Sequence, residues 1–216
     1  MIIVGHRGAR GLAPENTLAS FKRALDCRVD RIEFDVRTTA DNVPIAFHDE
    51  TLLDDSGDRL PVKGASYQDL KDHKPDLATL EEVLKFVKGR CPLYVEVKQG
   101  AEIAPVVKIL RTYKFEYWLG SKSQKILLQL HHELPDIPKV VIESWSGVRA
   151  SRRARQLNTK ILSMYQLFLW SGFIRAMHRS GYELYSYTIN DPAKARGWSK
   201  HGLAGVVTDY PDRFKN

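Results

Sequence analysis

Two strand-like runs carry charge where a buried strand would be expected to carry none. In Arg31-Ile32-Glu33-Phe34-Asp35-Val36 the two-residue period puts Glu33 and Asp35 on one face and Ile32, Phe34 and Val36 on the other. In Leu93-Tyr94-Val95-Glu96-Val97-Lys98, Glu96 and Lys98 share a face opposite Val95 and Val97. Two further runs end in histidine: His6, followed by Arg7-Gly8, and His48, followed by Asp49. Singly, each has an ordinary structural explanation: the wet face of an antiparallel sheet, a local ion pair, a hydrogen-bonded histidine. Isolated charges inside a barrel are too costly to keep, so together they must pair or hold a metal. Glu33, Asp35 and Glu96 form an oxygen-only set suited to a hard divalent cation, Mg²⁺ or Ca²⁺. A Zn²⁺ site would more often recruit the histidines. His6 and His48 are then left to act as general acid and base, with Arg7 and Lys98 facing phosphate oxygens. That set serves metal-assisted displacement at a phosphoryl group.

The set works only if the strands bring their ends together. Strand-like runs lie at Ile2 to Gly5, Arg31 to Val36, Pro44 to Phe47, Leu93 to Val97, Lys139 to Trp145, Lys160 to Met164, Glu183 to Ile189, and Gly205 to Thr208. Helical patterns follow Pro14-Glu15-Asn16-Thr17, span Thr79 to Lys88, and cover 101–115, 121–133, 147–157, 169–180 and 191–201. Thr79, with Glu82 three residues on, forms a capping box. The alternation predicts an α/β fold, a closed (β/α)8 TIM barrel, over a single domain 1–216. Active sites in such barrels lie at the C-terminal mouth, where the four charged strand ends would converge.

One connection breaks the scheme. Residues 37–43 are too few for a parallel crossover, which needs a dozen or more, although extended they reach about 23 Å. The barrel is therefore expected to lack its helix between strands 2 and 3, the alternative being an antiparallel pair turning at Asp41-Asn42. Segment 49–76 is polar, centred on Asp54-Asp55-Ser56-Gly57-Asp58, with no strong period. It is expected to form a short cap insertion over the site after strand 3.

The chain has 216 residues, with 33 Lys+Arg against 26 Asp+Glu and a formal net charge of +7. At 43 % hydrophobic and 10 % aromatic residues, disorder, collagen and coiled coil are excluded. No apolar run approaches the roughly 18 residues of a membrane-spanning helix. Cys27 and Cys91 read as reduced, buried small hydrophobes. The N-terminus reads directly as a strand and lacks signal-peptide features, which points to a cytoplasmic protein. The basic cluster Arg149, Arg152, Arg153 and Arg155 reads as a solvated helix face, with docking on an anionic membrane as the alternative. It lacks the interleaved aromatics that would stack bases, so no nucleic-acid partner is expected. Membrane docking needs an exposed apolar patch nearby, and the candidates Phe168, Leu169, Trp170 and Phe173 read more simply as core.

The motifs resemble those of the glycerophosphodiester phosphodiesterase family. They are His6-Arg7-Gly8, Pro14-Glu15-Asn16-Thr17, Ile32-Glu33-Phe34-Asp35-Val36, His48-Asp49, Leu77-Ala78-Thr79-Leu80-Glu81-Glu82-Val83-Leu84, Val95-Glu96-Val97-Lys98, Tyr187-Thr188-Ile189-Asn190-Asp191 and Thr208-Asp209-Tyr210-Pro211-Asp212. They occur in the family's order and cover nearly the whole chain. The resemblance implies a TIM barrel that hydrolyses glycerophosphodiesters, as small-molecule substrates, to glycerol 3-phosphate and an alcohol with a divalent cation. It implies His6 and His48 as the acid/base pair, Glu33, Asp35 and Glu96 as metal ligands, and Arg7 and Lys98 as phosphate contacts. It also implies attack by the substrate's neighbouring hydroxyl to give a cyclic phosphate that water opens. Pro14 to Asn16 would serve helix entry at least as much as ligand. Tyr187 stands where the family commonly has tryptophan, and a more open mouth would admit lysophospholipids at a membrane surface. A catalytically silent binding protein is the remaining reading, and retention of all five acid/base and carboxylate residues speaks against it.

Overall fold

The strands are β1 (Ile2–Gly5), β2 (Arg31–Thr38), β3 (Pro44–Ala46), β4 (Thr51–Leu53), β5 (Arg59–Pro61), β6 (Leu93–Val97), β7 (Tyr117–Ser121), β8 (Lys139–Glu143), β9 (Ile161–Tyr165), β10 (Glu183–Tyr187) and β11 (Gly205–Thr208). The helices are α1 (Leu18–Asp26), α2 (Tyr67–His73), α3 (Leu80–Val87), α4 (Ile103–Thr112), α5 (Gln124–Glu133), α6 (Gly147–Gln156), α7 (Ser171–Arg179) and α8 (Pro192–Ser199). The computed structural model describes residues 1–53 and 57–214. Asp54, Asp55 and Ser56 of the expected polar centre lie outside the described residues.

β1, β2 and β6 to β11 pair in parallel in that order. β1 closes the ring by pairing with β11 through Ile2↔Gly205 and with β2 through Val4↔Arg31. This is the closed eight-stranded barrel that the alternation predicts. Closure explains why β2 is buried along nearly its whole length: helices cover one face and the barrel interior the other. Ile32, Phe34 and Val36 pack outward in the cluster shared with α1, α3 and α4, with Phe34 edge-on to Phe21 at 5.5 Å between ring centroids. Inside the barrel, Val4, Tyr94, Val140, Ile142, Ile161, Tyr185 and Val207 form a separate apolar plug. Arg31 stacks on Trp118 at its base, 3.9 Å from the ring centroid.

One expected strand needs correction, and one barrel strand was not expected. β3 pairs antiparallel to β2, Val36↔Ala46 and Thr38↔Pro44, so it extends β2 as a hairpin and is not a barrel strand. The turn at 39–43 is the rejected alternative: Asn42 takes a left-handed conformation and Thr39 N–H donates to the Val43 carbonyl. The expected gap between strands 2 and 3 of the barrel therefore vanishes, because the third barrel strand is β6 and α2 and α3 precede it. The missing strand is β7, in a stretch that the sequence reading left as a connection between two helices. Gly120 weakens its strand pattern, yet a Cβ there would lie 2.5 Å from the Tyr94 ring. Glycine is required because the barrel interior places an aromatic against that backbone.

The 49–76 segment holds the β4–β5 hairpin and α2, which pack Leu52, Val62 and Leu70 with Ile45 and Leu77 into a small core of their own. Ser66 and Asp69 cap α2 reciprocally, a signal too short to show as helical periodicity. Thr79 and Glu82 cap α3 as expected, at 3.1 and 2.7 Å. Cys91 is buried, whereas Cys27 is only half-buried. No helix among the described residues is long and apolar enough to cross a membrane.

The basic cluster also needs correction. Arg149 clamps Glu143 at the end of β8 with bonds of 2.5 and 2.6 Å. Arg153 is buried and donates to Gln124 Oε1 and to the carbonyls of Ile142, Ser121 and Lys122. Arg152 and Arg155 alone of the four remain on the exposed face without such bonds among the described residues. Truncating Arg153 leaves buried acceptors unmet, so Arg153→Ala is expected to lower stability by about 1–3 kcal/mol. Arg155→Ala is expected to stay within about 0.5 kcal/mol, both read from urea midpoints.

Candidate active site

All seven residues singled out in the sequence line one cavity of about 190 Å³ at the C-terminal mouth of the barrel. β2 presents Glu33 and Asp35, β6 presents Glu96, and Lys98 follows β6 directly. His6 and Arg7 follow β1, and His48 follows the β3 hairpin strand. A larger concavity, about 800 Å³, is an open groove between α4 and α5. There Arg111 and Glu133 simply pair with each other at 3.0 Å, and no acid–base constellation converges.

The three carboxylates each bring an oxygen within 4.8 Å of the others. Burial pushes the Glu33 carboxyl well above the usual range, and Asp35 and Glu96 push it further. Burial acts the same way on Asp35, but the Lys98 and Arg7 charges outweigh it and hold Asp35 well below that range. Lys98 Nζ sits between two of the acids, 2.8 Å from Asp35 Oδ1 and 2.6 Å from Glu96 Oε1. Lys98 and Arg7 thus meet Asp35 and Glu96, while Glu33 is held by the Arg7 backbone N–H.

Arg7 is set by the turn after β1. Its backbone takes φ 49° and Gly8 follows at φ 84°, where a Cβ would lie 2.2 Å from Ser20 Oγ. This turn aims the Arg7 backbone N–H at Glu33 Oε2 (2.8 Å) and its Nη1 at Glu15 Oε1 (2.6 Å). Arg7 Nε is buried without a hydrogen bond among the described residues, 3.2 Å from Asp35 Oδ2. It is a donor left beside the cavity.

Both histidines are held by a carboxylate. His6 Nδ1 donates to Asp209 Oδ1 at 2.6 Å, and His48 Nδ1 to Asp49 Oδ1 at 2.6 Å. That leaves each Nε2 for the cavity. Burial, with the Lys98 and Arg7 charges, lowers the His48 pKa against the pull of Asp35 and Asp49, which favours the neutral ring. Burial pushes the Asp209 carboxyl up, yet its bonds to His6 and Asn190 outweigh this and keep it low.

Several supporting residues carried no role in the sequence reading. Asn190 donates to Asp209 Oδ2 (3.0 Å) and accepts from the Asp209 N–H (2.9 Å). Arg37 donates to the His48 carbonyl at 2.8 Å. Asn16, buried with φ 57°, bonds Asp35 twice, at 2.9 and 3.1 Å. The helix entry itself belongs to Thr17, whose side chain caps α1 through Ser20 N–H. Pro14 serves that entry, its carbonyl accepting the Thr17 hydroxyl at 2.6 Å, while Glu15 and Asn16 face the site through Arg7 and Asp35. No described residue of 49–76 lines the cavity, and its contribution there is Asp49 through His48.

Residues 6–213 match the glycerophosphoryl diester phosphodiesterase family. The chain belongs to that family. A glycerophosphodiester phosphodiesterase of Caldanaerobacter subterraneus is 24 % identical over 100 % of this chain and 96 % of its own length. The YhdW protein of Bacillus subtilis is 29 % identical over 98 % of this chain and 96 % of its own. An Oleispira antarctica phosphodiesterase, solved with sn-glycerol-3-phosphate, superposes with a TM-score of 0.90 at 24 % identity. It covers 99 % of this chain and 94 % of that one. This glycerophosphoryl diester phosphodiesterase family member is thus a phosphoric diester hydrolase on a TIM barrel.

Proposed function

We propose that this chain hydrolyses glycerophosphodiesters to glycerol 3-phosphate and an alcohol, with His6 and His48 as acid and base. The observation that carries the reading is the meeting of two carboxylate-held histidines around three carboxylates and two cations in one small cavity. The Oleispira phosphodiesterase of the same fold is in complex with the product sn-glycerol-3-phosphate, which supports this substrate class. The cysteine usage suits a cytoplasmic setting, with Cys91 a buried thiol.

Glu33, Asp35 and Glu96 fit a hard divalent cation, Mg²⁺ or Ca²⁺, because all donors are oxygens and they lie within 4.8 Å of one another. When present, such an ion supplies charge stabilisation at the phosphoryl oxygens and makes the Lys98 ammonium available to them. Arg7 and Lys98 then hold the phosphate. One histidine Nε2 accepts the proton of the glycerol hydroxyl beside the phosphorus as that oxygen attacks. The other donates a proton to the departing alcohol oxygen. The roles reverse when water opens the cyclic phosphate, returning both rings to their starting states.

Asp209 acts through His6 as a positioning residue. Asp209→Asn offers an amide in place of the acceptor for Nδ1–H, which favours the wrong tautomer. It is expected to lower kcat at least about ten-fold with KM little changed, and a KM-only effect would remove Asp209 from this role. The reading as a whole is tested by measuring glycerol 3-phosphate release from a panel of glycerophosphodiesters with added Mg²⁺, Ca²⁺ or Mn²⁺. Release of glycerol 3-phosphate from none of them would overturn it.

A further inference from the structure

The rim of the mouth carries apolar side chains that the fold leaves uncovered. Trp145 after β8 is 70 % exposed, Val148 in the first turn of α6 82 %, Leu167 after β9 71 % and Trp170 before α7 63 %. Trp170 is therefore not core, contrary to the sequence reading, while Leu169 beside it is buried. These residues are braced. Trp145 packs edge-on to Phe168 at 4.8 Å, and Trp170 lies against Phe173 at 5.4 Å.

Two features say what this rim meets. First, it is continuous with the cavity: Phe168 packs on Tyr165 at 6.3 Å, and Tyr165 on Tyr187 at 5.8 Å, and Tyr187 lines the site. Second, it is bordered by cations. Val148, Arg152 and Arg155 fall at helical spacings of four and three residues, so they share one stripe of α6, and all three are exposed. Lys122 stands on the adjoining loop at the cavity wall. Protruding tryptophans and aliphatics flanked by arginines match an interface of apolar acyl boundary and anionic headgroups. The face of a second copy would carry the same cations and repel them.

We propose that the loops after β8 and β9, with the Val148–Arg155 stripe, form a docking surface for an anionic lipid bilayer, which holds the active-site mouth against that surface. The proposal goes beyond the hydrolytic reading and does not depend on it, because its test reads binding.

The test is co-sedimentation of the full chain with vesicles of phosphatidylglycerol and phosphatidylcholine in equal parts, and with phosphatidylcholine alone. Binding is expected to the mixed vesicles and to weaken with added salt. Trp145→Ser combined with Trp170→Ser is expected to lose about ten-fold or more in vesicle affinity. Arg152→Gln and Arg155→Gln are each expected to lose about five-fold. Because these side chains are exposed, the variants are expected to keep their urea midpoints and their turnover of water-soluble glycerophosphodiesters. Failure of the wild-type chain to bind the mixed vesicles overturns the proposal, as does undiminished binding by the double tryptophan variant. A dimer in solution that the tryptophan changes dissociate would assign the rim to a second copy and overturn it equally. Absence of glycerol 3-phosphate release by the wild-type chain, with its vesicle binding intact, would count against the hydrolytic reading alone.

Discussion

Excess EDTA is expected to abolish turnover while leaving the fold in place. Glu33, Asp35 and Glu96 bring oxygens within 4.8 Å of one another, an all-oxygen set of the kind a hard divalent cation takes. Without a divalent ion, the phosphoryl oxygens lose the cation that these three carboxylates would hold beside them. The electrostatic stabilisation lost is several kcal/mol, more than about 10³-fold in rate. The fold survives because the carboxylates stay partly compensated: Lys98 bridges Asp35 and Glu96 at 2.8 and 2.6 Å, and Asn16 holds Asp35 from the other side. Glycerol 3-phosphate release and far-UV circular dichroism, followed together through a chelator titration and re-addition of Mg²⁺ or Ca²⁺, check both halves. Full activity in excess EDTA would remove the metal assignment, and parallel unfolding would assign the ion to the fold rather than to the reaction.

The second large effect concerns the histidines. His6→Ala and His48→Ala are each expected to lower kcat by roughly 10²–10⁴, the usual worth of a positioned acid or base. The double variant is expected to be little worse than either single one, since groups that act as a unit are strongly non-additive. Both rings sit at the cavity rim with one nitrogen held by a carboxylate, so neither supports much of the apolar core. Urea midpoints are therefore expected to shift little, and pre-steady-state and steady-state rates on one soluble diester give the comparison. A single variant with near-wild-type kcat would make that histidine structural, and additive losses would separate the two roles into independent steps.

The period-two patterning of β2 and β6 was legible because a barrel strand has two unlike surroundings. Ile32, Phe34 and Val36 had to meet helices, and Glu33 and Asp35 had to meet whatever the interior holds. The capping box at Thr79 and the alternation of strands and helices were legible for the same reason, since each is a local consequence of backbone hydrogen bonding. β7 was not legible: it is five residues long and contains Gly120, and the need for that glycine appears only when the Tyr94 ring is placed beside it. β3 was misassigned because a short apolar run reads alike in a parallel strand and in a hairpin. Its partner and direction are decided by the turn at 39–43.

The sequence by itself determined which residues could do chemistry and which face of each strand they occupy, because side-chain alternation is a property of a few neighbouring residues. Only the tertiary structure decided what holds them. Asp209 grips His6 across 203 positions and Asn16 grips Asp35 across 19, distances that no local period encodes. The same closure took Arg149 and Arg153 out of the basic face by giving them Glu143 and the carbonyls around it. It also left Trp145 and Trp170 outside, because the loops that carry them lie beyond the last layer that the barrel and its helices can cover.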